Sequence, residues 1–121
     1  MIGHYKDIDA YQRSYSASVE VYQIARSYPK EEIYGMASQM KRASSSIPLN
    51  LAEGWGKRMD ADEFKRFIKM AIGSCDEMRS LLDFGKDLGF IEEETHKRLC
   101  AEYDEIGKML NALHQRWKKF K

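Results

Sequence analysis

The chain has 121 residues and a net charge of +1, from 20 basic and 19 acidic side chains. The length suits one domain over residues 1–121, and the charge balance argues against a dedicated duplex-DNA-binding protein, which normally carries a strongly basic face. The chain begins without an apolar signal core and has no apolar run long enough to cross a bilayer. We therefore expect a cytoplasmic protein without a membrane anchor.

The first amphipathic segment runs from about Ile8 to Ser27. Steps of three and four residues predict one buried helical face, formed by Ile8, Tyr11, Tyr15, Ser18, Tyr22 and Ala25. Asp7 is the expected N-cap of this helix. Because tyrosine has a polar tip, the hydroxyl groups of this face are expected to reach the rim or polar partners.

A second helix is predicted to begin at Pro29, since proline suits a first turn, where no backbone N–H donor is needed. Glu31 and Glu32 follow at the positive end of the helix dipole. The predicted core face is Ile33, Ala37, Met40, Ser44, Ile47 and Leu51. Pro48 lies within this pattern and predicts a kink, because it removes one backbone hydrogen bond. The segment ends at Gly54–Gly56.

Asp60 and Glu63 have the spacing of a capping box and predict the start of a third helix, which Gly89 is expected to close. The fourth helix has a seam that alternates steps of four and three, formed by Leu99, Tyr103, Ile106, Leu110, Leu113, Trp117 and Phe120. No segment shows convincing strand alternation. Short connections between four helices predict an all-α fold, an antiparallel up-down-up-down four-helix bundle.

Residues with chemical potential do not combine into a recognisable catalytic motif. None of the histidines lies in a nucleophile motif with serine or cysteine: His4, His96 and His114. Glu93-x-x-His96 matches half of the di-iron bundle motif, but the second half and two further inward glutamates are missing. Cys75 and Cys100 fit no metal spacing and are expected to be reduced structural thiols. The sequence therefore predicts no enzyme, cofactor, metal site or small-molecule substrate.

The second helix also carries a polar face. Its members recur at helical spacing: Gln39, Arg42, Ser46, Asn50, Glu53 and Lys57. A solvated surface is one interpretation, but serine and asparagine are weaker helix formers than lysine, glutamate and alanine. The face also suits a hydrogen-bond network between helices or subunits. Arg42 and Glu53 are three turns apart, so each would find its partner on another helix or subunit.

Basic residues cluster in three places: Lys41-Arg42, Lys57-Arg58 with Lys65-Arg66-Lys69, and residues 116–121. The last cluster, Arg116-Trp117-Lys118-Lys119-Phe120-Lys121, interleaves aromatic rings with cations, as single-stranded nucleic-acid contacts do. A helix C-terminus that complements its own dipole, with Trp117 and Phe120 completing the seam, is the alternative.

Longer patterns point to a family: Tyr28-Pro29-x-x-Glu32-x-Tyr34-Gly35-Met36-x-x-Gln39-x-x-Arg42-Ala43-x-x-Ser46-Ile47-x-x-Asn50-x-Ala52-Glu53-Gly54, then Glu63-Phe64-x-x-Phe67 and Ala71-x-Gly73-Ser74-x-x-Glu77. With the helical tail, this combination covers nearly the whole chain and resembles the 23S rRNA intervening-sequence protein family. Met36 stands where the family usually has leucine, and Leu51 where it usually has isoleucine.

The resemblance implies a four-helix bundle that assembles as a homopentamer, a gene found within insertions of bacterial 23S rRNA genes, and no established enzymatic activity. The family is similar in fold to the accessory protein of diversity-generating retroelements, a pentamer that binds RNA and a reverse transcriptase. Carried over to this chain, the family-defining polar set is Gln39, Arg42, Asn50, Glu53, Ser74 and Glu77. It is expected to hold helices or protomers in register.

The leading hypothesis is a non-catalytic oligomeric scaffold that binds RNA or a ribonucleoprotein partner. The candidates for nucleic-acid contact are Arg42, Lys57, Arg58, Lys65, Arg66, Arg116, Lys118 and Lys119. The alternative is a protein–protein adaptor subunit that does not bind nucleic acid.

Overall fold

The computed structural model describes residues 2–117, and that part of the chain folds into four α-helices without a strand. The helices are α1 (Asp9–Ala25), α2 (Met36–Trp55), α3 (Ala61–Asp87) and α4 (Glu93–Arg116). Short 3-10 turns at Tyr5–Asp7 and Lys30–Glu32 precede α1 and α2. The prediction of an all-α, four-helix protein is confirmed.

Each helix packs against two neighbours, in the order α1–α2–α3–α4 and back to α1. Ser18 on α1 meets Ser44 on α2, with the two hydroxyl oxygens 3.0 Å apart, and the Tyr22 ring one turn later faces Lys41 one turn earlier. Such pairs run in opposite chain directions, as they do in a bundle whose short loops join antiparallel neighbours.

One hydrophobic core runs along the bundle axis. Its largest fully buried side chains include Tyr103, Phe64, Met40, Ile47 and Leu51. At one end of the core Phe64 lies between two tryptophans, with ring centroids 6.1 Å from Trp55 and 4.7 Å from Trp117. These edge-to-face contacts join α2, α3 and the end of α4, and each is favourable beyond the area it buries.

The buried face of α1 differs from the predicted one. The helix turns small residues inward: Ala10, Ser14, Ala17, Ser18, Val21 and Ala25. Tyr15 is 54% exposed and Tyr22 39% exposed. Small side chains allow α1 to lie close to its neighbours, whereas the sequence pattern gave weight to the larger tyrosines. Asp7 is also not the N-cap, since it lies in the preceding 3-10 turn, and Ile8 occupies the cap position without a side-chain hydrogen bond.

The start of α2 is six residues later than a helix beginning at Pro29 would require. Pro29 instead precedes the 3-10 turn, and α2 begins at Met36. Glu32 keeps its predicted place at the positive end of the helix, because its Oε1 accepts a hydrogen bond from the Met36 backbone N–H at 3.0 Å. Ile33 lies outside α2 and is 49% exposed, so it does not join the core face. The helix continues through Pro48.

The caps of α3 are as predicted. Asp60 Oδ1 accepts hydrogen bonds from the backbone N–H groups of Asp62 and Glu63, at 3.1 and 3.3 Å. After α3, Gly89 takes a φ of +80°, in the left-handed region that favours glycine, and the Gly89 N–H donates to the Lys86 carbonyl at 3.0 Å. This turn folds α4 back along α3.

Candidate functional site

The conserved chemistry of a catalytic pocket is not what the sequence-predicted residues form; they form a polar surface between α2 and α3. We define the polar seam by its members, which are Gln39, Arg42, Ser46, Asn50, Glu53, Gly73, Ser74 and Glu77. The structure brings several of them together around one shallow recess of about 310 Å³, lined by Gln39, Arg42, Ala43, Ser46, Ser74 and Glu77. Asn50 and Glu53 lie further along α2, outside the lining of this recess.

The small polar groups of the polar seam bind one another. The hydroxyl groups of Ser46 and Ser74 share a hydrogen bond that links α2 to α3. The Ser46 hydroxyl also donates to the Ala43 carbonyl at 3.0 Å, and the Asn50 amide donates to the Ser46 carbonyl at 2.7 Å. Half of the predicted role, keeping two helices in register, is therefore visible within one chain.

The charged members of the polar seam point outward. Arg42, Glu53 and Glu77 are exposed, as is Gln39. Among residues 2–117, none of the three charged side chains forms an ion pair, although inter-helix pairs form elsewhere, such as Arg13 with Glu102 at 2.7 Å. The partners that the sequence predicts for Arg42 and Glu53 on another helix do not exist within the described chain, so a second subunit stays the prediction.

Gly73 is the member of the polar seam that residue-type reasoning did not single out. It is exposed in the middle of α3, and a Cβ built on it would meet no heavy atom within 4 Å. Gly54 differs, because its Cβ would lie 2.7 Å from the Phe67 Cβ, so close helix packing explains it. A mid-helix glycine costs about 0.5–1 kcal/mol relative to alanine. Nothing within the chain offsets that cost at Gly73.

Four of the predicted nucleic-acid contacts, Lys57, Arg58, Lys65 and Arg66, lie where α2 leads into α3, a region that we call the basic corner. Aromatic rings support their charges: the Arg58 guanidinium lies 4.3 Å from the Trp55 ring centroid, and that of Arg66 lies 4.7 Å from Phe67. The Lys57 ammonium is 5.9 Å from the same Phe67 ring. Cation–π contacts hold such groups in place without neutralising them.

Acidic side chains share the basic corner. Glu63 pairs with Arg66 at 3.2 Å, and Asp60 and Asp62 lie in the same turn. The end of α4 adds Arg116, which is exposed. Lys118 and Lys119 lie outside the described residues. Phosphate contact at this corner therefore depends on a few cations among acids rather than on a uniformly positive surface.

His114, in the last turn of α4, reports on the charge of this region. Partial burial lowers the pKa of His114, and the positive charges of Lys65 and Lys69 lower it further. Trp117 packs on Trp55 and Phe64, with centroids 6.0 and 4.7 Å away, as the helix-seam interpretation of the tail predicts.

A second surface, the tyrosine groove, follows from the rotated face of α1. It lies between α1 and α2, has a volume of about 380 Å³ and is lined by Tyr11, Tyr15, Ser18, Val19, Tyr22, Gln23, Arg26, Ser45, Pro48 and Leu49. Leu49 is 63% exposed and Val19 48% exposed. Because its lining is mainly aromatic and aliphatic, this groove suits a protein partner better than a phosphate backbone.

Comparison with known proteins agrees with the fold. Within residues 2–117, no helix combines the length and hydrophobicity needed to cross a membrane. A crystal structure of a protein of unknown function from the S23 ribosomal protein family of Bacteroides thetaiotaomicron is similar, with a TM-score of 0.79 and 20% sequence identity over 88% of this chain and 95% of that chain. No curated protein matches. The profile of the 23S rRNA-intervening sequence proteins matches residues 6–112. The chain therefore belongs to the 23S rRNA-intervening sequence protein family.

Proposed function

We propose that this protein is a non-catalytic, homo-oligomeric scaffold whose protomers meet along the polar seam and which binds RNA or a ribonucleoprotein partner. The observation that carries the proposal is the outward-facing set of charges without ion-pair partners among residues 2–117, beside a mid-helix glycine that this part of the chain does not explain. Such a surface gains most when a second protein surface covers it.

A second copy of the chain is the partner that fits the polar seam best. The surface holds both a cation, Arg42, and two carboxylates, Glu53 and Glu77, so one protomer offers the charges that the other lacks. A mixed-charge patch of this kind complements itself, whereas an RNA backbone would be repelled by the carboxylates. The family resemblance, which implies a homopentamer, supports the same assignment.

RNA contact is assigned to the basic corner. Each protomer offers few cations there, with Asp60, Asp62 and Glu63 beside them, so one copy alone binds weakly. In a closed ring the same corner is repeated, and several weak contacts to one RNA give avidity without any new interaction. The similarity in fold to the retroelement accessory protein, which binds RNA as a pentamer, supports this arrangement.

Salt dependence of RNA binding tests the proposal. Binding of a structured 23S rRNA fragment is expected at 50 mM salt and should weaken steeply as salt rises, because phosphate contacts release counterions. A Lys65→Gln/Arg66→Gln variant should lower the slope of log K against log salt by about 0.9 per lost contact in each protomer. Lys97→Gln/Lys108→Gln, which removes the same charge from exposed positions of α4, is the control. Absence of binding at 50 mM salt would refute RNA as the ligand.

His114 provides a spectroscopic check at the same corner. Phosphate groups near Lys65 and Lys69 would offset the positive charges that lower the pKa of His114, so RNA binding is expected to raise that pKa. The bound protein would then take up protons, and RNA affinity should increase as pH falls through this range. NMR titration of the His114 ring signal, with and without RNA, measures the change. The signal of His96, at the other end of α4, should not respond to RNA.

The tyrosine groove favours one alternative, a protein–protein adaptor without RNA binding. Its exposed aromatic and aliphatic side chains match the composition of protein interfaces. An adaptor would retain its protein partner at high salt and lose it when Tyr15 and Leu49 are replaced by serine. The Lys65→Gln/Arg66→Gln variant would leave that binding unchanged.

The proposal that the protein is non-catalytic has support from its thiols. Burial raises the pKa of Cys75 to about 11, and its Sγ donates to the Tyr103 carbonyl at 3.1 Å. Burial also raises the pKa of Cys100. A nucleophilic cysteine needs the opposite change, toward the thiolate at neutral pH.

A further inference from the structure

Three potential metal ligands meet where α3 ends and α4 begins, at the end of the bundle away from the basic corner. His96 Nε2 lies 2.7 Å from Asp83 Oδ1 and 3.4 Å from Cys100 Sγ. All three atoms lie within 4.8 Å of one another. The Glu93-x-x-His96 spacing drew attention to His96, but the residues that join it are Asp83 and Cys100 rather than Glu93.

Two rigid helices hold the three side chains in place. His96 and Cys100 are four residues apart on α4 and therefore lie on the same face, one turn apart. Asp83 lies one turn before the end of α3. The Gly89 turn folds α4 back along α3 and brings the two faces together. Ligands on helices are positioned more precisely than ligands on loops.

The geometry differs from that of a catalytic cysteine, histidine and aspartate. In such a triad the carboxylate binds one ring nitrogen of the histidine, and the other nitrogen contacts the nucleophile. Here the carboxylate and the thiol both approach Nε2. One neutral ring nitrogen is either a donor or an acceptor, so it cannot serve both partners in those roles. The three atoms instead surround a common point.

We propose that Asp83, His96 and Cys100 bind one divalent transition-metal ion of the zinc type, with a fourth position open to solvent. Oxygen, nitrogen and sulfur together are the ligand set that zinc accepts, and three protein ligands with one open position are typical of its exchangeable sites. Chelation would join α3 to α4 beyond the contacts that the core provides.

Distances support this assignment. Zinc–nitrogen and zinc–sulfur bonds of about 2.05 and 2.3 Å place the two atoms about 3.5 Å apart in a tetrahedral site, close to the observed 3.4 Å between His96 and Cys100. The corresponding oxygen–nitrogen separation is about 3.3 Å, so Asp83 must move outward by roughly 0.6 Å from its hydrogen-bonded position. Its side chain is 66% exposed, and that movement meets little resistance.

Metal binding exchanges protons in a balanced way. The Cys100 thiol gives its proton to solvent and binds the metal as a thiolate, while His96 binds as the neutral imidazole through Nε2. Asp83 binds as the carboxylate. No electron is transferred, and no further reactant is needed.

Cobalt titration of the tag-free, full-length protein tests the site, since Co²⁺ replaces zinc and reports its ligands by absorption. A thiolate-to-cobalt charge-transfer band is expected in the near ultraviolet, with visible bands of tetrahedral intensity, and added Zn²⁺ should remove both. Cys100→Ala should abolish the charge-transfer band. Asp83→Asn, at an exposed position, and His96→Gln should each weaken Co²⁺ binding by roughly tenfold or more.

Glu93→Gln and His114→Gln are the matched controls, because they alter a neighbouring carboxylate and a distant histidine, and both should bind Co²⁺ like the unaltered protein. Absence of a charge-transfer band in the unaltered protein would overturn the proposal. The same follows if Asp83→Asn and His96→Gln, shown by circular dichroism to be folded, bind Co²⁺ unchanged. These outcomes are independent of RNA binding and oligomeric state.

Discussion

Replacement of Gly73 by leucine is expected to dissociate the oligomer and, at the same time, to stabilise the isolated protomer. No heavy atom of residues 2–117 lies within 4 Å of the Cβ position, so the new side chain meets no obstacle inside the described chain. Leucine is a better helix former than glycine, which should add about 0.5–1 kcal/mol to the free energy of unfolding of the protomer. A protomer packed closely against this position would clash with the added side chain.

Sedimentation velocity at a fixed protomer concentration measures the first effect, and urea unfolding followed by circular dichroism measures the second. Ala101→Leu is the control, because it adds a leucine at an exposed position of α4, away from the polar seam. A Gly73→Leu protein that keeps the mass of the unaltered assembly would show that protomers do not meet at this surface. The opposite signs of the two effects separate lost assembly from simple misfolding.

Replacement of Phe64 by alanine is expected to have the largest effect on stability. The Phe64 side chain is fully buried between Trp55 and Trp117. Removal of a buried phenylalanine ring costs about 3–5 kcal/mol, because the lost burial and the remaining cavity both act against the folded state. That is a large share of the roughly 5–15 kcal/mol by which small domains are stable.

Guanidinium unfolding, followed by circular dichroism and tryptophan fluorescence, measures this loss. Both tryptophans of the chain contact Phe64, so the emission of the folded variant should change as well. Phe84→Ala is the matched control, since Phe84 lies on the same helix but is 55% exposed, and it should change stability by no more than about 0.5 kcal/mol. Equal losses in the two variants would contradict the assignment of Phe64 to the core.

The sequence predicted α3 and α4 well because large apolar side chains mark their inner faces and polar side chains mark their ends. Phe64, Ile68 and Leu82 are fully buried, as are Leu99 and Tyr103. Asp60 is the observed cap of α3. Where burial of large residues decides the outcome, periodicity is a sufficient guide.

Prediction failed where small residues decide the packing. The inner face of α1 consists of alanine, serine and one valine, and these residues do not stand out in a hydrophobic pattern as tyrosine does. The start of α2 was also misplaced, since a 3-10 turn and a helix look alike over three residues.

The candidate site was predicted in part. Spacing on α2 placed Gln39, Arg42 and Ser46 on one face, and the family resemblance added Ser74 and Glu77, which the structure places at the same recess. The meeting of Asp83 with His96 was not predictable, because single-helix spacing carries no information about which side chains of two helices come together. Only the turn geometry at Gly89 and the register of α3 against α4 settle that contact.

The thin inner face of α1 has a consequence for the order in which the molecule opens. A helix that buries mostly alanine and serine contributes little to the free energy that holds the fold together, since burial of a methyl group counts for far less than that of a leucine side chain. Two inter-helix ion pairs, Arg13 with Glu102 and Arg98 with Glu20, fasten it to α4, and exposed pairs of this kind contribute only about 0–1 kcal/mol each. The N-terminal rod is therefore the segment that detaches first under load or denaturant, and the remaining three rods hold most of the cohesive surface.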